Sequence, residues 1–575
     1  MAALLIAAYG AMLRLDAFVG KYGPLDRPAW ARVATLRVAP FARQLRPSHV
    51  RWGRIAQPYV GGDPYSYLEH AREMTSFYQP HVREPIFLAT TRLALWTMDG
   101  QDAGVSLASA AGSLLTIFAT YLLGAAVVSP AGGLIAAAVY AIEYDSITWA
   151  VDGWRDDTFS GFFVLTVWAL VRFRERASLG RALALGLIGG AACLTRLTAL
   201  SFILPALAWI LFERRAEGRR RLEYSSTALV VLGAVVVPYL VSCGLATGDP
   251  LFSVNHHTAY YRHAEGLPSE APMSAADYLR TRLARRPLST LDVAVVGLFV
   301  RPFMTKWHPL DIWVRGLATM ASWMAVAGLT LWLFTPLGRL LIFTLLAALL
   351  PFAFTWNLGG GGEWRFTMHV YSIYIVAAVY AGIVAVRAFR VRPAWCEVRW
   401  RAALAGALAI AAVLFHALMP WFAAREAIAG AEAVSIEAGP RDRVFFRQGW
   451  SSPRTDGNVT SRVSRSDRAA VHFPLPQKRA YDVVLRIDPV APQAQNRVTV
   501  LLNRHLLGRL NLSWNPERVG SYRLTLPAEW VRAGDNEIAL IPDTIVAAAS
   551  AGPQFAHLAP NERVGLRVWY LRVLE

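Results

Sequence analysis

Residues 61–85 read GGDPYSYLEHAREMTSFYQPHVREP, a polar and charge-dense stretch between two apolar ones. This setting predicts the first external loop of a polytopic membrane protein. Asp63 follows a flexible Gly61-Gly62 pair and stands at a helix start that Ser66 or the Asp63 carboxylate can cap, which fixes the carboxylate beside the helix N-terminus. At the far end Arg83 and Glu84 precede Pro85, and proline suits the first turn of the next helix. The rest of the chain is read by asking which other charges face this loop, and from which side of the membrane.

Composition sets the class. The 575 residues are 55% hydrophobic and 17% charged, with a mean hydropathy of +0.34, too apolar for a soluble chain of this size. The net charge of +18 is almost all arginine, since Lys21, Lys306 and Lys478 are the only lysines. It reflects the loops that set membrane orientation, and no nucleic-acid partner is expected. Cys193, Cys243 and Cys396 offer neither a disulfide framework nor a zinc site.

Residues 1–13 are apolar and then meet Arg14 and Asp16, short of the roughly 20 residues a span needs. Lacking a basic n-region and a small-residue cleavage site, they do not read as a signal peptide. Residues 27–54 are basic and amphipathic, as in a surface helix on lipid headgroups. Further spans are expected at 104–128, 131–150, 157–173, 181–195, 198–213, 226–247, 313–335, 338–356, 367–388 and 402–423. Arginines collect at 172–181, 214–221 and 387–401, which the positive-inside rule assigns to the cytoplasm. One crossing per span then leaves 143–157, 249–311, 357–365 and everything after Ala424 outside. The apolar stretch 86–98 is short and carries Arg92, so it is expected to lie in the interface, which puts Asp63 outside with the other polar loops.

Four polar segments then meet on the outer face. The first holds Asp63, Tyr65, Tyr67, Arg83 and Glu84. The second, EYDSITWAVDGWRDDTF at 143–159, crowds Asp152, Arg155, Asp156 and Asp157 at the mouth of a membrane helix. One acid would suffice as a cap, and carboxylates at a membrane edge are costly to keep without a function. The third, TGDPLFSVNHHTAYYRH at 247–263, carries Asp249, His256, His257 and His263, whose simplest role is that of solvated loop residues. The fourth, NLGGGGEWRFTMH at 357–369, leads from a glycine run to Glu363, Arg365 and His369. Arg365 either snorkels or offers its planar fork to a phosphate.

The early Asp in a long first loop, WRDDTFSGFF at 154–163, GLIGGAACLTRLTALSFILPAL at 186–207 and the late Arg opening an apolar span together resemble the GT-C class of integral-membrane glycosyltransferases. The protein O-mannosyltransferases and the lipid A aminoarabinose transferases belong to that class, and the resemblance covers residues 10–390. The chain departs from it where the usual acidic pair is Asp63-Pro64 and where a proline-rich turn is Arg83-Glu84-Pro85.

The resemblance implies transfer of a sugar, with inversion, from a polyprenyl-phosphate donor to a glycan, lipid or protein hydroxyl at the external face of a bacterial plasma membrane. It implies Asp63 as the base for the acceptor proton, with Asp156 and Asp157 as further catalytic carboxylates. Arg83 and Arg365 would neutralise the donor phosphate. Tyr65, Tyr67, Glu84, Arg155, His256 and Glu363 would line the substrate. Asp156 and Asp157 would hold a divalent metal, Mg or Mn, if the chain behaves like the metal-dependent oligosaccharyltransferases of the class. A pyrophosphate-linked donor, for a glycan ligase or polymerase, stays open as an alternative. So does a lipid or sugar transporter, although no internal repeat is found and the charges sit at span ends rather than mid-membrane.

Residues 429–575 alternate apolar and polar, as in RVTVLLN at 497–503 and SYRLTL at 521–526, with turn signals at Asn503-Arg504 and 533–536. They resemble the jelly-roll, galactose-binding-like modules of secreted carbohydrate-active enzymes. The expected architecture is therefore a mostly α polytopic membrane domain, 1–428, with about 11 spans and external loops at 14–103 and 249–312, then an external all-β sandwich at 429–575. Trp450, Trp514, Trp530 and Trp569 are expected in the core of the sandwich rather than on a binding platform.

Overall fold

The structure, a computed structural model, describes residues 1–48, 50, 52, 62–213, 218–264, 272–300, 317–353, 363–388, 395–439, 441–456, 459–490, 497–512, 520–551, 555 and 558–574. The chain is helical up to Ala429 and mostly β thereafter. It divides into two compact units. The first holds the described residues of Met1–His257, Val296–Trp356 and Glu363–Ala394; the second holds those of Thr258–Val295 and Trp395–Glu575.

The main helices of the first unit are α1 (Ala2–Tyr22), α2 (Asp63–Glu73), α3 (Pro85–Thr97), α4 (Gly104–Val127), α5 (Pro130–Ala141), α6 (Tyr144–Asp152), α7 (Asp156–Glu175), α8 (Leu179–Thr195), α9 (Leu200–Glu213), α10 (Gly218–Thr247), α11 (Leu317–Trp332), α12 (Pro336–Ala353) and α13 (Tyr371–Ala388). Among the described residues, α1, α4, α10, α12 and Phe366–Val386 are long and apolar enough to cross a membrane. The pair α5 and α6, bent by 56°, makes a sixth span if counted as one. Several of the other expected spans, such as α8, are apolar helices of 10–17 residues.

One face of α4 organises this unit. Ser106, Ser109, Ser113, Thr116 and Thr120 are fully buried and alternate three- and four-residue steps, which places them along a single helix face. Ser106 donates to Val151 O (2.5 Å), Ser109 to Trp154 O (2.6 Å) and Thr116 to Asp157 O (3.1 Å). Carbonyls around the α6–α7 turn are thus paired inside the protein, as an apolar surround requires. Thr120 and Ser372 share a hydrogen bond of 2.7 Å, which brings in α13. On the same side of α4, a Cβ added at Gly112 would lie 2.3 Å from Thr158 Oγ1 and 2.6 Å from Thr158 Cα. Only glycine lets α4 and α7 approach this closely.

The first span does not end at its charges, as the sequence suggested. α1 runs on through Arg14 and Asp16, both 2% exposed, because each finds partners within the unit. Arg14 donates to Ser113 Oγ (2.9 and 2.7 Å), Ser146 Oγ (3.1 Å), Gly10 O (3.0 Å) and Ala141 O (3.2 Å). Asp16 accepts from Arg46 Nε and Trp52 Nε1, both at 2.7 Å, and from Arg43 Nε at 3.4 Å. Two arginines of the basic stretch 27–54, Arg43 and Arg46, thus pair with a carboxylate of α1.

The second unit is a β-sandwich with helices of its own. One antiparallel sheet runs Arg454–Asp456, Val459–Val463, Leu566–Leu574, Tyr481–Pro489, Gly520–Leu526, with Val434–Glu437 also on Leu566–Leu574. The other runs Phe446–Gln448, Ala469–Leu475, Gly534–Pro542, Arg497–Leu502, His505–Asn511. Alternate residues such as Val483, Leu485 and Ile487 meet Val498, Val500 and Leu502 between the sheets. Trp450 and Trp530 are partly buried against this core, and Trp569 hydrogen-bonds Asp488; Trp514 lies outside the described residues. The helix Trp395–Ala429 and the helices Ala275–Arg285 and Pro287–Val295 belong to this unit as well. Arg286 pairs with Glu432 and Asp292 with Arg441, all four largely buried, and Glu426 accepts from the backbone N–H of Ser289.

Gly112→Ala should lower stability by about 1–3 kcal/mol, the usual cost of overpacking. Gly180→Ala, where the added Cβ meets nothing within 4 Å, should leave stability unchanged or slightly higher. Thermal unfolding of the detergent-solubilised protein checks both; an identical Tm for the two variants and wild type would rule out the close α4–α7 approach.

Candidate functional site

Asp63 is the first residue of α2. It follows Gly62, whose φ of 67° is one that glycine adopts freely, and Pro64 fills the first turn. The N-cap position is held by Gly62, which has no side chain to cap with. The carboxylate turns instead toward Arg83, with Oδ1 3.3 Å from Nη2. Glu84 is the N-cap of α3 and Pro85 its first residue.

Arg83 is held from several sides. Its Nη1 lies 3.1 Å from His257 Nε2, its backbone N–H donates to His81 Nδ1 at 3.0 Å, and its guanidinium carbon sits 5.3 Å from the centre of the Tyr67 ring. Behind it, Arg155 approaches the same ring at 6.0 Å and pairs with Glu84 Oε2. The other oxygen of Glu84 accepts from the backbone N–H of Leu197 at 2.9 Å. One residue on, Asp156 meets Arg196 Nη2 at 3.0 Å. The guanidinium carbon of Arg196 lies 5.4, 5.1 and 5.7 Å from the rings of Phe159, Phe352 and Phe366.

Exposure separates these pairs. The side chains of Arg155 and Glu84 are 4% and 3% exposed and those of Arg196 and Asp156 are 7% and 2%, whereas Arg83 is 16% and Asp63 31% exposed. The inner pairs are sealed against each other. The outer pair can meet a ligand. Tyr67, fully buried between Arg83 and Arg155, has its hydroxyl pKa raised by burial.

Other expected site residues sit differently. Tyr65 is 47% exposed and its hydroxyl bonds to Glu69, away from Tyr67. His256 packs beside Phe252 and His257, with ring centres 5.4 and 6.1 Å away. Asp157 is fully buried in the first turn of α7, with Arg14 as a nearby positive charge. Glu363 and Arg365 begin the helical turn Glu363–Val370, and their side chains lie outside the described residues. Among the described residues, no three or more His, Cys, Asp or Glu side chains are grouped to hold a metal ion. Of the two carboxylates expected to hold a Mg or Mn ion, Asp156 has Arg196 as a counter-ion at 3.0 Å.

Three residues escape a reading by pattern. Arg196 is a single charge in an apolar run, His257 looks like a solvated neighbour of His256, and Arg14 looks like the end of a span. The signal for Arg196 is its placement: a lone arginine flanked on both sides by membrane-grade sequence needs a buried carboxylate.

Residues 83–241 match the family model described as dolichyl-phosphate-mannose-protein mannosyltransferase. This stretch is similar to that mannosyltransferase family and makes up less than a third of the chain. The matched stretch takes in Arg83, Glu84, Arg155, Asp156, Asp157 and Arg196 and leaves Asp63 and His257 outside. Among solved structures, the chain is similar to the Archaeoglobus fulgidus oligosaccharyltransferase crystallised with Zn and sulfate, at 16% identity over 72% of this chain and 51% of that one, with a TM-score of 0.39. It is similar to ArnT from Cupriavidus metallidurans bound to undecaprenyl phosphate, at 15% identity over 64% of each chain, with a TM-score of 0.36. A family 35 carbohydrate-binding module from an environmental isolate matches 23% of this chain and 91% of its own length at 14% identity, with a TM-score of 0.16. The chain spans about half the length of the oligosaccharyltransferase it matches. No curated protein matches the sequence.

Glu84→Ala should strand Arg155 in a buried site and cost about 3–5 kcal/mol, and Arg155→Ala a similar amount by stranding Glu84. The double variant should lose clearly less than the sum. Unfolding of the four proteins in one detergent measures this coupling, and strictly additive losses would show that the pair is not a unit.

Proposed function

We propose that this chain is a membrane glycosyltransferase that moves a sugar from a polyprenyl-phosphate donor to an acceptor hydroxyl, with inversion. The proposed location is the external face of a bacterial plasma membrane, and the acceptor is a glycan, lipid or protein. The observation that carries this reading is the partly exposed Asp63–Arg83 pair set against sealed ion pairs, beginning where the mannosyltransferase-family match begins.

In this reading the acceptor oxygen attacks the anomeric carbon on the face opposite the phosphate. The new C–O bond forms as the bond from the anomeric carbon to the phosphate oxygen breaks, and the acceptor proton passes to Asp63. The lipid leaves as a phosphate monoester whose added negative charge is met by Arg83, with Arg365 as a second cation. Arg155 and Arg196, each committed to a carboxylate, act by position: Glu84–Arg155 fixes the start of α3 beside the start of α7, and Asp156–Arg196 fixes the turn after α8. Asp157 shares the turn of Asp156 and is assigned the same positioning role. The isoprenoid tail would lie along the apolar helices.

Asp63→Asn should reduce sugar transfer by about 10²–10⁴-fold, the usual share of a general base. It should leave affinity for a polyprenyl phosphate unchanged or higher, because it removes a negative charge 3.3 Å from Arg83. Radiolabelled transfer and lipid binding in the same membranes check both. Wild-type transfer rates in the variant would sink Asp63 as base, lost lipid affinity would reassign it to holding Arg83, and transfer from pyrophosphate-linked donors alone would replace the donor class.

A further inference from the structure

A guanidinium and a backbone N–H can only donate. The ring nitrogens that face Arg83, His257 Nε2 at 3.1 Å and His81 Nδ1 at 3.0 Å, must therefore present lone pairs. Both histidines are neutral in this arrangement, His257 carrying its proton on Nδ1 and His81 on Nε2. We infer that His81 and His257 are positioning residues that hold Arg83 toward the donor phosphate as neutral acceptors, and that protonation of either one releases it. This rests on the reading of Arg83 as the phosphate-binding cation.

The surroundings keep both rings neutral. Burial pushes His81 down to about 4, helped by His70, Arg83 and His256. Burial also holds His257 well below the ordinary histidine range, helped by Arg83, Arg155, Arg196 and His256. The His70 ring is centred 3.6 Å from that of His81 and is itself lowered by burial, with Glu73 at 3.9 Å. From α10, Tyr239 donates to His81 O at 2.8 Å and Cys243 lies beside the same backbone. The nearby carboxylates, Asp63 and Glu84, are already paired with Arg83 and Arg155. A lowered histidine pKa means that the acceptor lone pair is present through the neutral range and lost only as the pH falls toward that pKa. Once protonated, the ring turns from acceptor to donor and sets a second cation against Arg83. The contacts to Asp63 and to the Tyr67 ring then remain, against the new repulsion.

Binding of undecaprenyl phosphate to the full-length protein in detergent, at about pH 7.5 and at about pH 3.5, below the pKa of about 4 at His81, tests this. The lipid's own second proton titrates near pH 6, so each variant is read against wild type at the same pH. His257→Leu removes the acceptor and should weaken binding about tenfold at neutral pH. His257→Gln, whose amide oxygen stands where Nε2 was, should restore most of that loss. The double variant His81→Asn/His257→Gln has acceptors that do not titrate, and its affinity should fall measurably less than that of wild type on acidification. His257→Leu binding as tightly as wild type, or the double variant falling in parallel with wild type, would overturn the inference while leaving the donor assignment standing. A wild type with no affinity for the lipid at either pH would overturn the donor assignment and the inference together.

Discussion

The buried Glu84–Arg155 pair is the contact on which the site depends. Removing two opposite charges from water together is costly, and breaking such a pair costs more still. Here the carboxylate is bound twice, to Arg155 and to the backbone N–H of Leu197. Glu84 is also the N-cap of α3 and Arg155 the N-cap of α7. A single carboxylate therefore ties the starts of two helices to the turn that follows α8. The neighbours in sequence inherit their places from it. Arg83 precedes Glu84 and so faces Asp63 and His257; Asp156 follows Arg155 and so faces Arg196.

The same constraint, that a polar group in an apolar surround must find a partner, explains the rest of the first unit. The α4 hydroxyls answer carbonyls where α6 stops and α7 starts, and Ser113 shares Arg14 with Ser146. Arg14 and Asp16 can lie inside α1 because one reaches hydroxyls and carbonyls of α4, α5 and α6, and the other draws Arg43, Arg46 and Trp52 onto the helix. Gly112 completes the scheme. Without a side chain there, the hydroxyl face of α4 comes close enough to reach the α6–α7 turn.

Apolar runs, arginine-rich loops and the alternation after residue 429 were legible, because each is a local pattern. So was the gathering of Asp63, Tyr67, Arg83, Glu84, Arg155 and Asp156, since all are charges or aromatics at the ends of apolar runs. The pairing within that group was not legible. Glu84 meets a partner 71 residues away and Arg83 one 174 residues away, and no periodicity encodes such distances. Arg196 and Arg14 were obscured because hydropathy averages a lone charge into its apolar neighbours. The hydroxyl face of α4 was present in the spacing of 106, 109, 113, 116 and 120, but serine and threonine barely move a hydropathy profile. The grouping of Ala275–Arg285 and Pro287–Val295 with the β-sandwich rests on pairs such as Arg286–Glu432, which join distant stretches and leave no local trace.

The charge balance of the cluster bears on the proposed transfer. Arg83, Arg155 and Arg196 face Asp63, Glu84 and Asp156 one to one, and the two neutral histidines at Arg83 add no charge. Two of these pairs are sealed, so any change of charge during the reaction falls on the third. When the acceptor proton reaches Asp63, its negative charge 3.3 Å from Arg83 is cancelled. Arg83 then stands uncompensated at the moment the leaving phosphate gains its second negative charge. In a low-dielectric site this shift is worth more than it would be in water. In the proposed transfer the base and the phosphate-binding cation would thus work as one device: taking the proton from the acceptor would strengthen the hold on the leaving group, with no side chain having to move.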